Sequence, residues 1–204
     1  MTLVVAHRGA SSEAPENTLA AFERAIECGA DMIEFDVRRA RNGRLVISHD
    51  AVREPSAHLP SLEDTLRLTQ GRIQLDVELK EPGCEGEAIE LLLRYFPLDG
   101  FCMTSFMAPT LHAIRSINPS IRTGLIFAMW NKSARAACLS PDVDLLVPHY
   151  RLLNRAGQME KPLFVWTVDD PALTRALFAG ALVAGIVTNN PRQALAVRRD
   201  SSPD

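Results

Sequence analysis

The chain has 204 residues, of which 47% are apolar and 23% charged, and reads as one soluble globular domain with a hydrophobic core. A formal net charge of -3 leaves no electrostatic footprint for nucleic acid or an anionic membrane, so any bound anion must be held by a local cluster of donors or by a metal. The start, Met1 to Ala6, is apolar but shorter than a signal-peptide core, and no apolar run approaches the ~20 residues that span a bilayer, so a cytoplasmic protein is expected.

Residues 1–197 are expected to form the single domain, with Arg198 to Asp204 as a polar, frayed tail. Cys28, Cys84, Cys102 and Cys138 show no metal-type spacing and are expected to be reduced and mostly buried.

From Leu3 onward, short runs rich in β-branched residues alternate with amphipathic segments. The first strand is predicted at Leu3–His7. A helix over Thr18–Cys28 follows from Leu19, Phe22 and Ile26 at helical spacing, with Asn17 as its start signal and Gly29 as its stop. The second strand covers Met32–Val37. Asn42-Gly43 then marks a two-residue hairpin turn between Phe35–Arg41 and Arg44–His49, read as an excursion above a barrel rather than as one of its strands. The helix Leu62–Thr69 begins with Ser61 as N-cap and Asp64 at the third helical position.

Beyond this point the alternation is regular. Strands are predicted at Ile73–Leu79, Phe101–Thr104, Thr123–Phe127, Leu145–His149, Leu163–Val168 and Gly185–Thr188. Helices are predicted at Gly86–Tyr95, Ala108–Ile117, Asn131–Leu139, Leu152–Met159, Pro171–Ala179 and Pro191–Arg198. Without the hairpin, these are eight strand–helix pairs, which close into a (β/α)8 TIM barrel with a β-hairpin excursion after strand 2. An open doubly wound sheet is the alternative, but no Gly-rich dinucleotide loop follows the first strand.

Polar residues break the apolar rule at the strand ends. His7 and Arg8 end the first strand, Glu34 and Asp36 lie in the second, and Asp76, Glu78 and Lys80 close the third. A barrel gathers such residues at its C-terminal mouth, and residues two apart share a face of a strand. Three carboxylates on neighbouring strands would repel strongly unless neutralised, and a hard divalent cation such as Mg²⁺ or Ca²⁺ meets that need. No His or Cys set argues for zinc. The hairpin returns His49 over the carboxylates, and His7 approaches from the first strand. Two imidazoles beside a cation, with Arg8 and Lys80 nearby, suit an anionic diester.

His7-Arg8-Gly9, Pro15-Glu16-Asn17-Thr18, Glu34-x-Asp36, His49-Asp50 and Glu78-x-Lys80, in that order, resemble the signature of glycerophosphodiester phosphodiesterases. Ser105-Phe106, Trp166-Thr167-Val168 and Gly185-Ile186-Val187-Thr188-Asn189 are similar to its later strands. The resemblance implies a TIM barrel that hydrolyses glycerophosphodiesters to glycerol 3-phosphate and an alcohol. It implies one divalent cation on Glu34, Asp36 and Glu78, His7 and His49 as the acid–base pair, and Arg8 and Lys80 on the phosphate. Trp166 becomes an apolar wall of the substrate pocket.

Two departures stand out. Only Ala51 to Pro60 separates His49-Asp50 from Ser61, where the family usually carries a longer insertion. A wider mouth would admit a bulkier diester, giving lysophospholipase D-like or sphingomyelinase D-like activity, or a second subunit of a homo-oligomer would complete the site. Ala184 stands before Gly185, where an acidic residue is common. The reading from another class is a non-catalytic phosphate-binding barrel, against which the intact histidine pair speaks.

The remaining polar residues are read more plainly. Asn17 is expected to cap the first helix, and Glu16 is a weaker ligand candidate. Asp76 is read as a structural pairing partner. Asp50 either orients His49 or caps its loop. His149 is placed near the mouth without an assigned role, and His58 and His112 are read as surface residues.

Overall fold

The computed structural model of the chain describes residues 1–52 and 58–201. The elements in order are β1 (Leu3–His7), α1 (Leu19–Cys28), β2 (Met32–Arg39), β3 (Leu45–Ile47), α2 (Leu62–Thr69), β4 (Gln74–Leu79), α3 (Glu85–Tyr95) and β5 (Phe101–Ser105). Then come α4 (Ala108–Ile117), β6 (Thr123–Phe127), α5 (Lys132–Cys138), β7 (Leu145–Pro148), α6 (Leu153–Ala156), β8 (Phe164–Val165), α7 (Pro171–Ala179), β9 (Gly185–Thr188) and α8 (Pro191–Ser201). Among the described residues, no helix is long and apolar enough to cross a membrane.

All strands but β3 run parallel, in the ring order β1, β2, β4, β5, β6, β7, β8, β9 and back to β1. The seam between β7 and β8 is thin. It consists of the single bridges Leu146–Leu163 and His149–Trp166, helped by the Tyr150 N–H to Trp166 carbonyl bond of 2.8 Å. The result is a nearly closed (β/α)8 barrel, as the eight strand–helix pairs predict.

Several details differ from the sequence reading. The strand predicted over Leu163–Val168 narrows to two residues, because only two bridges tie it to β7. The helix predicted over Leu152–Met159 splits into a 3-10 turn at Tyr150–Leu152, one α-helical turn at Leu153–Ala156 and another 3-10 turn at Gly157–Met159. The segment expected to fray from Arg198 is helical through Ser201, and residues 202–204 lie outside the described part.

β3 pairs antiparallel with the end of β2, Arg39 opposite Leu45, and lies off the ring. Its loop has three residues rather than two: the Ala40 N–H bonds the Arg44 carbonyl at 2.8 Å, and the Gly43 N–H bonds the Ala40 carbonyl at 2.9 Å. A two-residue turn of the expected type needs left-handed backbone at both positions. Here only Gly43 takes it, at φ 87°. The connection after β3 folds straight back, with Ile47 N–H on the Pro60 carbonyl at 2.9 Å. Part of Ala51 to Pro60, the shortened insertion, falls at residues 53–57, outside the described residues.

The core has two layers. The larger one packs the outward faces of the strands against the helices, with Phe22, Phe35, Leu66, Leu92 and Leu111 fully buried in it. The smaller one fills the barrel interior with Val5, Met32, Cys102, Ile126, Leu145, Val147, Phe164 and Val187. The period of two along a strand explains this split. Ala184 directly precedes β9 at the end away from the mouth, where its carbonyl accepts the Leu3 N–H at 2.9 Å.

The segment between β1 and α1 loops tightly back onto α1. Gly9 has φ 82°, and a Cβ built there would lie 2.7 Å from the Ala21 backbone carbon. Gly9→Ala is therefore expected to destabilise the fold by roughly 1–3 kcal/mol through left-handed strain and overpacking. Urea or thermal unfolding measures it, and a loss within error would show that the loop shifts freely.

Candidate active site

The inward rows of several strands start apolar and end polar, and that of β4 is polar throughout. Val5 leads to His7, Met32 to Glu34 and Asp36, Asp76 to Glu78 and Lys80, Cys102 to Thr104, Phe164 to Trp166, and Val187 to Asn189. Register then sets the neighbours: His7 pairs with Glu34, Glu34 with Asp76, and Asp36 with Glu78. All these polar ends meet at the C-terminal mouth. His7, Glu34, Asp76, Glu78, Lys80 and Trp166 line a pocket of about 100 Å³ together with Arg8 and His49.

Glu34, Asp36 and Glu78 each offer an oxygen within 4.8 Å of the others, and all three are buried. Asp36 has no exposed surface. It lies 3.1 Å from Arg8 Nε and 3.3 Å from Lys80 Nζ, and Asn17 Nδ2 donates to it at 2.8 Å. Lys80 Nζ is also 2.8 Å from Glu78. The Arg8 backbone N–H donates to Glu34 at 2.9 Å, and its guanidinium to Glu16 at 2.8 Å.

Crowding sets these acidities. Burial, then the charges of Asp36 and Glu78, push Glu34 well above the usual carboxylate range. Burial and Asp36 raise Glu78 to about 7. For Asp36 burial works upward, but Lys80, Arg8 and the Asn17 amide outweigh it and hold the group low. Burial lifts Asp76 to about 6 against the opposing Thr104 hydroxyl bond, which is 2.7 Å long. Burial alone would lower Lys80, yet Glu78 and Asp36 hold its pKa up. Fully ionised, the three carboxylates would outnumber Arg8 and Lys80, and that repulsion helps keep Glu34 and Glu78 raised; the buried Asp36 Oδ1, 3.3 Å from Lys80 Nζ, accepts no hydrogen bond.

His7 is held from behind. Its Nδ1 lies 2.7 Å from Asn189 Oδ1, and Asn189 Nδ2 donates to Asp169 at 2.6 Å. Asp169 also accepts from the Asn189 backbone N–H at 2.8 Å and from Thr188 Oγ1 at 2.9 Å. An acceptor at Nδ1 puts the proton there, so Nε2 carries the lone pair. Nε2 sits 3.9 Å from Glu34. Burial depresses the His7 pKa. His49 is more open, with Nδ1 3.0 Å from Asp50 Oδ1 and its backbone carbonyl held by Arg38 Nε at 2.9 Å.

Trp166 forms a wall. Its indole N–H donates to the Val147 carbonyl at 2.8 Å, and its ring meets Phe106 edge-on at 5.7 Å and His149 at 5.5 Å. His149 therefore braces Trp166 from outside the pocket lining. His58 is exposed, and His112 pairs with Asp142 at 2.9 Å on the surface.

The pocket thus brings together His7, Arg8, Glu34, His49, Glu78, Lys80 and Trp166, with Asp36 enclosed against Arg8 and Lys80. Asn17 departs from its expected role. Thr18 caps α1, accepting from the Ala21 N–H at 3.2 Å. Left-handed backbone at Asn17, φ 57°, turns its amide inward onto Asp36. Glu16 serves as a partner of Arg8, half exposed and away from the acidic cluster. Asp169 and Asn189 were missed as supports of His7. The one available signal was the strand period, which places Asn189 on the inward row one step beyond the Ala6–Thr188 pair.

Comparison with known proteins gives these features a context. Residues 7–81, which hold most of the polar cluster, match the Glycerophosphoryl diester phosphodiesterase family. A glycerophosphodiester phosphodiesterase of Caldanaerobacter subterraneus subsp. tengcongensis is 29% identical, covering 93% of this chain and 95% of its own. The protein named "Probable glycerophosphodiester phosphodiesterase 1" of Mycobacterium tuberculosis is 48% identical over 82% of each chain. Among solved structures, an Oleispira antarctica phosphodiesterase in complex with sn-glycerol-3-phosphate superposes with a TM-score of 0.84 at 22% identity, covering 97% of this chain and 96% of that one. The glycerophosphodiester phosphodiesterase of Thermotoga maritima gives 0.84 at 22% identity, covering 97% and 99%. These two fix the fold, and the near-half identity to the mycobacterial protein carries the kinship further: the chain belongs to the glycerophosphodiester phosphodiesterase family.

Proposed function

We propose that this protein hydrolyses glycerophosphodiesters to glycerol 3-phosphate and an alcohol, using one divalent cation of the Mg²⁺ or Ca²⁺ type and the His7–His49 pair. The observation that carries the reading is the convergence of three buried carboxylate oxygens within 4.8 Å of one another beside the free Nε2 of His7. The donor set fits a hard cation: Glu34, Asp36 and Glu78 offer only oxygen, Asp36 Oδ1 accepts no hydrogen bond, and the three carboxylates, once ionised, outnumber Arg8 and Lys80. When bound, the cation supplies charge neutralisation and polarisation of a phosphoryl oxygen.

The chain's own groups do the rest. Arg8 and Lys80 flank the position of the phosphate and stabilise negative charge as it grows. His7, kept neutral by burial and fixed in its Nδ1–H tautomer, takes the proton of the attacking oxygen at Nε2. His49, on the more open side, returns a proton to the leaving alkoxide. Phe106 and Trp166 exclude water on the far wall.

Chelation tests the reading. EDTA is expected to abolish turnover of glycerophosphoethanolamine, and Mg²⁺ or Ca²⁺ to restore it. Binding should also raise thermal stability, by about 2.7 kcal/mol at a hundredfold excess over Kd. Glu34 and Glu78 must shed protons to ligate, and Glu78 titrates near about 7 without the ion. Apparent affinity should therefore fall as pH drops from 8 to 6. Undiminished turnover in chelator would sink the cation role.

A further inference from the structure

The two histidines of the pocket are held in different ways. His7 is fixed through its ring, by Asn189 and behind it Asp169. Among the described residues the His49 ring has Asp50 as its one hydrogen-bond partner, at 3.0 Å, and the Asp50 side chain is 93% exposed. A contact to so exposed a group holds little in place. The position of the His49 ring therefore depends on where the main chain carries it.

That main chain leaves its ladder after Ile47, which pairs with Val37. The Ser48 N–H still reaches the Asp36 carbonyl at 2.9 Å. At His49 the one backbone hydrogen bond among the described residues is the Arg38 Nε to carbonyl contact of 2.9 Å. Arg38 follows Glu34 and Asp36 on the inward row of β2. Its side chain is 16% exposed, yet it is not part of the pocket wall that holds Arg8 and Lys80. It turns instead to the returning arm of the hairpin.

The guanidinium is itself held. Arg38 Nη1 lies 3.2 Å from Glu81 Oε2, and the other Glu81 oxygen accepts the Arg39 N–H at 2.7 Å. Glu81 directly follows Lys80, whose N–H bonds the Val37 carbonyl at 3.2 Å. A connected set of groups thus runs from the end of β4, a strand of the ring, to the His49 main chain. One planar, always charged group with several fixed donors suits such a bridge. Arg39, next along β2, points the other way and binds the Gly43 carbonyl and Glu87.

We propose that Arg38, braced by Glu81, is the positioning residue for His49. It sets the main chain so that the imidazole stands over the pocket, and it touches no substrate. This role rests on the diesterase reading above and adds what aims the proton donor. Misplacement of a reacting group by about 1 Å can cost about a hundredfold, so loss of the bridge acts on turnover through His49.

Arg38→Met keeps the apolar stem and removes the donors. With Mg²⁺ present, kcat on glycerophosphoethanolamine is expected to fall at least about tenfold, with KM within about twofold of native. On a p-nitrophenyl diester, whose departing anion requires no acid, the loss should shrink below about threefold. Introduced into His49→Ala, the same substitution should cost less than about twofold more, because the group it aims is gone. Glu81→Gln should give the same pattern with a loss of at least about threefold, and it decides the matter if Arg38→Met fails to fold. A second readout needs no turnover. Amide hydrogen exchange at Ser48, beside His49, should rise at least about tenfold in the deciding variant and stay unchanged at Ala6 in β1. A native kcat, equal losses on both esters, a loss undiminished in His49→Ala, or unchanged Ser48 exchange overturns the proposal. If the native chain turns over no diester yet Ser48 exchange rises as stated, the bridge to His49 stands and the diesterase reading fails.

Discussion

His7→Ala is expected to lower kcat on glycerophosphoethanolamine by roughly 10²–10⁴-fold, the usual worth of a positioned proton acceptor, while the fold remains intact. His7 is tied through Asn189 to Asp169, so its imidazole is already in the tautomer and orientation that a base needs. Little reorganisation is left for the moment of reaction, and that makes the expected loss large. His49→Ala should cost a similar factor on this substrate but for a different reason, and the leaving group separates them. A p-nitrophenyl diester expels an anion that needs no proton. The His49→Ala penalty should shrink on it, and the His7→Ala penalty should not. Steady-state kinetics on the two esters checks this. Rates within threefold of native for His7→Ala would end its role as base, and the opposite leaving-group pattern would exchange the two assignments.

The support behind His7 marks where sequence reading stopped. His7, Glu34, Asp36 and Glu78 were legible because each breaks a local apolar rule, and because residues two apart on a strand must share a face. Asn189 breaks the same rule, but its partner is 182 positions away, a pairing that only barrel closure makes visible. Asp169 lies just beyond a strand of two residues, in a stretch where strand period no longer applies. Asn17 was misread because Asn before an apolar helical period is a good cap signal, and Thr18 beside it is equally good. Backbone handedness decided between them: φ 57° aims Asn17 at Asp36 and leaves the cap to Thr18.

The barrel itself was readable from alternation, since eight strand–helix repeats with short connections have few other closures. The capping box of α2, Ser61 with Asp64, was readable too, being wholly local. The hairpin was readable as antiparallel pairing but not as a three-residue loop. Asn-Gly suits both loop lengths, and the Arg39–Leu45 register chooses between them. Helix α6 was the weakest reading, for Leu152 to Met159 has helical composition but folds as three short turns.

Asp36 is where stability and chemistry meet, and two substitutions pull them apart. Asp36→Ala is expected to destabilise the protein by roughly 3 kcal/mol, the low end for breaking a buried ion pair. The low end applies because Lys80 keeps Glu78 at 2.8 Å and Arg8 keeps Glu16 at 2.8 Å, so neither cation is left without a partner. What is lost is the only carboxylate among the described residues that touches both, together with the Asn17 bond that ties the first loop to β2. For a chain of this size that corresponds to a fall in Tm of about 6–12 °C. Asp36→Asn keeps the volume and one acceptor, so it should cost less. Yet it removes a charged ligand, and it should erase the rise in Tm that Mg²⁺ or Ca²⁺ produces in the native chain. Calorimetric melting of both variants with and without the ion gives the answer. A metal-induced rise of native size in Asp36→Asn would remove Asp36 from the ligand set, and a Tm loss within error in Asp36→Ala would show that the Arg8–Asp36–Lys80 cluster holds nothing together.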